Sequence, residues 1–118
     1  MIRTVDAAAR LDRLELDPGA EALDHVARLA AYRCPHCGRE REFGWMALLR
    51  SSSPLEPRWA ARFDEARPLD RAEARYDFSC PGCGCPVGIV FEPGHEFAMG
   101  ASTWRLTAVV ELARCPAA

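Results

Sequence analysis

The chain has 118 residues, a formal net charge of −2 and 49% hydrophobic residues, the size and balance of one small domain (1–118) with a core of its own. It has no apolar run of the ~18 residues a membrane-crossing helix needs and no apolar leader at its start, so no membrane association is expected and the expected address is the cytoplasm. The acidic balance disfavours a sequence-independent nucleic-acid binder, whose affinity comes mostly from basic charge facing phosphates.

In chain order, residues 4–16 mix apolar and charged positions. Val5, Ala8, Ala9 and Leu11 allow a short helix, and Leu14-Glu15-Leu16 alternates like a strand end. Asp17-Pro18-Gly19 breaks the chain, as a turn or as an Asp N-cap with Pro at the first helical position. Residues 20–33 fit a helix or a strand, with a lean to strand in the second half, where a metal-binding turn follows. Residues 43–50 are apolar, and Ser51-Ser52-Ser53-Pro54 is a loop. Pro57–Ala66 reads as a helix with Trp59, Phe63 and Ala66 on one face. Pro68 interrupts it, and residues 70–75 are expected to resume it. Residues 76–79 alternate as a strand, Pro86–Glu92 form the returning strand, and Pro93-Gly94 turns the chain. Residues 102–113 give the clearest strand pattern. Trp104, Leu106, Ala108, Val110 and Leu112 alternate with Arg105, Thr107, Val109, Glu111 and Ala113.

The string Cys-Pro-x-Cys-Gly occurs twice, as Cys34-Pro35-His36-Cys37-Gly38 and Cys80-Pro81-Gly82-Cys83-Gly84. In each copy Pro fixes φ on entry, two thiolates leave the turn on one side, and Gly accepts the left-handed residue that follows. Two such turns facing each other make a four-sulfur tetrahedral site, the arrangement favoured by zinc and by single-iron centres. With four of six Cys in matched turns, metal binding is expected ahead of a disulfide framework.

These paired turns resemble the zinc-ribbon class, in which knuckles on two β-hairpins share one zinc. The resemblance covers the knuckles and their flanking strands and implies Cys34, Cys37, Cys80 and Cys83 as ligands of one structural zinc. The gap between Cys37 and Cys80 holds 42 residues, against roughly 15–20 in the common spacing, and carries its own expected helix. The strings are also similar to those of rubredoxin, which holds a single iron for electron transfer, although its knuckles lie closer together. Cys34-Pro35-His36-Cys37 alone is similar to the redox motif of thioredoxin-fold oxidoreductases, which need one dithiol opening a helix; the second matched knuckle argues against that. Metal binding at such sites contributes on the order of 10–16 kcal/mol in zinc-finger peptides, so chelation or Cys→Ser at a ligand is expected to unfold the chain. Cys85 is read as a small buried residue or as a substitute for Cys83. Cys115 is read as a bystander thiol, with a disulfide or a second metal shared with Cys85 as the alternative.

Little else points to catalysis. His25, His36 and His95 are the only histidines, and His36 sits where a side chain faces away from the metal. His95-Glu96 lacks the second His of a metalloprotease motif, because position 99 is Met. A four-sulfur site leaves no open position for water. The series Arg58, Arg62, Arg67, Arg71 and Arg75 is interspersed with acids and reads as a solvated, salt-bridged helical face. All fifteen basic residues are Arg and no Lys, Asn or Gln occurs, the imprint of a GC-rich genome rather than of a chosen anion site.

The sequence therefore predicts an α+β domain: a small antiparallel β-sheet, a zinc-ribbon-like four-cysteine metal site and a helical insert. The expected function is a non-catalytic protein-binding module, in one version a small bacterial inhibitor or immunity protein. A nucleic-acid-binding ribbon and a rubredoxin-like iron carrier are the alternatives.

Overall fold

A computed structural model describes residues 1–16, 30–44, 47–48, 55–92, 96–97, 100–101 and 104–115. In chain order the elements are β1 (Ile2–Asp6), a 3₁₀ turn (Ala7–Ala9), β2 (Glu15–Leu16), β3 (Ala30–Arg33), β4 (Glu40–Phe43), α1 (Pro57–Ala66), β5 (Ala74–Ser79), β6 (Pro86–Glu92), β7 (Glu96–Phe97), β8 (Gly100–Ala101) and β9 (Trp104–Leu112). The main sheet is antiparallel, in the order β1-β9-β6-β5, with β2 also pairing with β9. β3 and β4 form a separate hairpin, as do β7 and β8.

Two expectations give way to strands. The helix allowed at residues 4–16 shrinks to one 3₁₀ turn. Val5 pairs with Val109 in β1, and the Asp6 carboxylate accepts the Ala8 N–H at 2.8 Å, which stops the strand and starts the turn. The helix does not resume at residues 70–75. Proline at position 68 has no N–H to offer a continuing helix. Asp70 and Glu73 close a turn instead, and Ala74 opens β5. Of residues 20–33, open between helix and strand with a lean to strand in the second half, Ala30–Arg33 form a strand, whereas residues 20–29, Ser51–Pro54 and Pro93-Gly94 lie outside the described residues.

β9 does not present its alternating set on one face. Val90 pairs with Ala108 and Phe91 with Leu106, so two steps on β9 match one on β6. The extra residue is Thr107, whose hydroxyl donates to the Val90 carbonyl at 3.2 Å. This bulge shifts the parity of the strand. Trp104 and Leu106 pack with Val109, while Ala108 and Val110 pack on the other side.

Both faces are covered. One carries Tyr76, Phe78, Val87, Ile89, Phe91 and Val109, capped by Tyr32 and Phe43 of the β3–β4 hairpin and by Leu11. Tyr32 meets Phe78 edge-on with centroids 5.5 Å apart. The other face packs Val90, Ala108 and Val110 against Phe63 of α1, with Trp59 half-buried beside them. Ala66, expected on the same helical face, is exposed.

Each face also holds a buried ion cluster. Glu111, 1% exposed, accepts from Arg10 Nη2 at 2.7 Å, Arg3 Nε at 3.0 Å and the Tyr32 hydroxyl at 3.2 Å. The hydrogen bond to Glu111 raises the Arg10 pKa, and burial raises that of Tyr32. On the opposite face Arg75 pairs with Asp77 at 2.6 Å and with Asp64 of α1 at 2.6 Å. Gly88 makes room for that pair, since a Cβ there would lie 2.7 Å from Arg75 Cδ and from Asp77 Oδ1. The expected solvated arginine face is thus only partly present: Arg58 pairs with Glu56 in solvent, but Arg75 leaves the helix and is buried.

Candidate metal centre

The two Cys-Pro-x-Cys-Gly strings occupy equivalent positions. The first joins β3 to β4 and the second joins β5 to β6. Their backbones repeat bond for bond. Gly38 N–H donates to the Cys34 carbonyl and Gly84 N–H to the Cys80 carbonyl, each at 2.9 Å. Cys34 N–H donates to the Arg39 carbonyl and Cys80 N–H to the Cys85 carbonyl, again at 2.9 Å. Gly38 and Gly84 take φ of 76° and 75°, the left-handed region that ends such turns cheaply only with glycine.

These turns bring the sulfur atoms of Cys34, Cys37, Cys80 and Cys83 within 4.8 Å of one another. Cys34 Sγ lies 3.7 Å from Cys83 Sγ, and Cys37 Sγ lies 3.5 Å from Cys80 Sγ. Four sulfurs at ~2.3 Å from a central ion would be about 3.8 Å apart in a tetrahedron. The group is therefore positioned to hold one metal ion, and its donor set suits a soft or borderline cation. Cys34 and Cys80 are buried, Cys83 is partly covered and Cys37 is exposed.

The x position differs between the turns for a packing reason. Gly82 faces the first knuckle, where a Cβ would sit 2.6 Å from Cys37 Sγ and 2.9 Å from Arg39 Cγ. His36 points away from the sulfurs, as the sequence led us to expect. Its Nε2 lies 3.0 Å from the Leu112 carbonyl, which can only accept, so Nε2 carries the hydrogen. His36 thereby ties the first cysteine turn to the end of β9.

Cys34, Cys80 and Cys83 hold their protons unequally. Burial pushes Cys34 up to about 12, against the backbone N–H groups of Cys37 and His36. Burial opposes ionisation of Cys80 as well. There the N–H groups of Cys83 and Gly82, joined by the thiols of Cys37 and Cys34, win and bring it down to about 7. Burial raises Cys83. Converging N–H groups that favour a thiolate are what a cation would find already in place.

The remaining two cysteines are not bystanders. Cys85 and Cys115 form a disulfide, with Cα atoms 5.9 Å apart, packed with Leu112 beside Ile2 and Trp59. This corrects the reading of Cys115 as a free thiol and removes Cys85 as a substitute ligand for Cys83. Sequence offered this pair only as the alternative, because the pairing is set by the register that puts Val87 opposite Glu111. Continuing that ladder toward the knuckle brings residue 85 to the segment after β9. The buried Glu111–Arg10–Arg3–Tyr32 cluster was missed for a similar reason: alternation along β9 alone placed Glu111 among the polar, outward set.

Among the described residues, no cluster of His, Cys, Asp or Glu suited to a metal was found besides Cys34/Cys37/Cys80/Cys83 and Cys83/Cys85/Cys115. His25 and His95 lie outside the described residues. No described helix is long and apolar enough to cross a membrane. No family model, curated protein or solved structure matches the chain.

Proposed function

We propose that the chain is a non-catalytic protein-binding module built around one structural zinc held by Cys34, Cys37, Cys80 and Cys83. The observation that carries the metal part is the convergence of four sulfurs from two like-folded hairpin turns. Zinc fits better than iron electron transfer because two of the sulfurs are buried and the site sits between a hairpin and a sheet, where a closed ion would act as a joint. Such a site resembles a zinc ribbon with the α1 insert between its knuckles. A saturated tetrahedral shell leaves no place for a water nucleophile, which supports a structural role over an enzymatic one.

A protein partner is favoured over nucleic acid by the net acidic charge and by the pairing of five of the fifteen arginines with carboxylates. Arg58 pairs with Glu56, Arg67 with Glu73, Arg75 with Asp77, and Arg3 and Arg10 with Glu111, in a chain of net charge −2. Phosphate binding needs cations that are not already neutralised. A small acidic inhibitor or immunity protein that covers a basic cleft is one concrete form. Metal analysis of the purified chain should return one zinc per molecule, and a colourless one. Affinity capture from native cells should then return a protein partner. Salt-dependent retention on DNA or RNA in place of a protein would overturn the binding reading.

A further inference from the structure

The disulfide and the four-sulfur group are neighbours that share a residue. The sulfur of Cys83 belongs to the metal set, and it also lies within 4.8 Å of the sulfurs of Cys85 and Cys115. Cys115 Sγ stands 3.9 Å from the Cys83 carbonyl oxygen. Cys85 and Cys115 are 5% and 8% exposed, so an external thiol has poor access to their bond. Cys83 is partly exposed and already inside.

We propose that Cys83 links metal occupancy to disulfide pairing: with metal bound its sulfur is a ligand, and once metal leaves, it attacks Cys115 and replaces Cys85 in the bridge. Thiol–disulfide exchange proceeds by attack of a thiolate on a sulfur of a neighbouring disulfide. The Cys83–Cys115 S–S bond forms and the Cys85–Cys115 bond breaks. Cys85 leaves with the electron pair and takes up the proton that Cys83 gives up. The number of disulfides is unchanged, so no oxidant or reductant enters. Attack on Cys85 is disfavoured because a Cys83–Cys85 bridge would span Gly84 alone, whose φ of 75° and bond to Cys80 define the turn. The product holds back one of the four ligands, so metal bound by Cys34, Cys37, Cys80 and Cys83 and the Cys83–Cys115 bridge exclude each other. The metal then protects the native pairing, and its loss is recorded covalently.

The proposal rests on the metal reading, and one experiment separates the two. The full chain is analysed as purified and after anaerobic chelation, with free thiols alkylated and the bridges mapped by tandem mass spectrometry without reduction. A chain that binds no zinc fails the metal reading before the second step. A chain that binds zinc should carry Cys85–Cys115 as its main bridge. After chelation the main bridge should become Cys83–Cys115, with Cys85 alkylated. Cys83→Ser should keep Cys85–Cys115 through the same treatment, and this readout does not depend on whether the variant stays folded. Persistence of Cys85–Cys115 in the chelated native chain overturns the proposal, as does a new bridge lacking Cys83 or Cys115. Finding Cys85 and Cys115 both free in the purified chain overturns it too.

Discussion

At Gly82 a single missing methyl decides whether two turns can approach. An alanine there would place carbon 2.6 Å from the Cys37 sulfur. The Arg39 side chain can swing aside, but a sulfur holding a metal ion could not without lengthening that bond. Gly82→Ala should therefore weaken metal binding at least tenfold, about 1.4 kcal/mol, in competition against a chromophoric chelator. Gly38→Ala has open space around its Cβ and a φ of 76°, so it should cost roughly 1–2 kcal/mol of folding stability and less affinity. Equal affinities in the two variants would contradict this. Glu111 is the other residue whose role follows from its neighbours. Glu111→Ala strands Arg10 and the Tyr32 hydroxyl inside the fold. The expected loss is about 3 kcal/mol, the low end for breaking a buried pair, because Arg3 keeps contact with solvent. Urea unfolding of the metal-loaded chain measures it.

The join between α1 and β5 depends on charge in a way that gives it a pH dependence. The Arg67 guanidinium grips Glu73 through two bonds of 2.8 and 2.7 Å, and the Asp70 N–H adds a third at 3.1 Å. The bond from Arg67 outweighs burial and holds the Glu73 carboxyl below its ordinary value of 4.5. A carboxyl with a lower pKa folded than unfolded stabilises the fold fully above about pH 4.5, and the contribution fades as pH falls through the folded value. The stability difference between the native chain and Glu73→Gln should be constant near neutrality and shrink in acid. Both proteins share the same cysteine cluster, so its own acid sensitivity cancels from the difference. A gap that widens in acid would refute the assignment. The β9 bulge belongs to this scale as well. The hydrophobic alternation along residues 102–113 correctly implied a strand, but it could not reveal where its parity would slip. The bulge is a property of two strands, and only the pairing with β6 exposes Thr107 as the extra residue.

Across the molecule, the β3–β4 hairpin and the main sheet are separate hydrogen-bonded units. They meet through the four sulfurs, the Tyr32–Phe78 and Phe43–Tyr76 ring contacts, and backbone bonds such as Arg33 N–H to the Arg10 carbonyl. The sheet has its own core on both faces and the Cys85–Cys115 bridge at one end. On chelation a graded loss is predicted in place of the chain-wide unfolding expected from sequence. Amide exchange at Ala30–Arg33 and Glu40–Phe43 should accelerate first, while central amides of β6 and β9 stay protected for longer. Simultaneous loss of protection in both regions would show that the metal holds the sheet itself.

The sequence alone determined the two cysteine turns, because Pro, two thiols and Gly at fixed spacing encode a local conformation that needs no distant partner. It also located α1, β6 and β9, whose signatures are periodic over short windows. Tertiary structure alone decided what lies opposite what: which hairpin faces which, that Cys85 meets Cys115, and that Glu111 turns inward to two arginines and a tyrosine. Those contacts join residues 30 to 108 positions apart in the chain. Their energies depend on sheet register, which no local pattern carries.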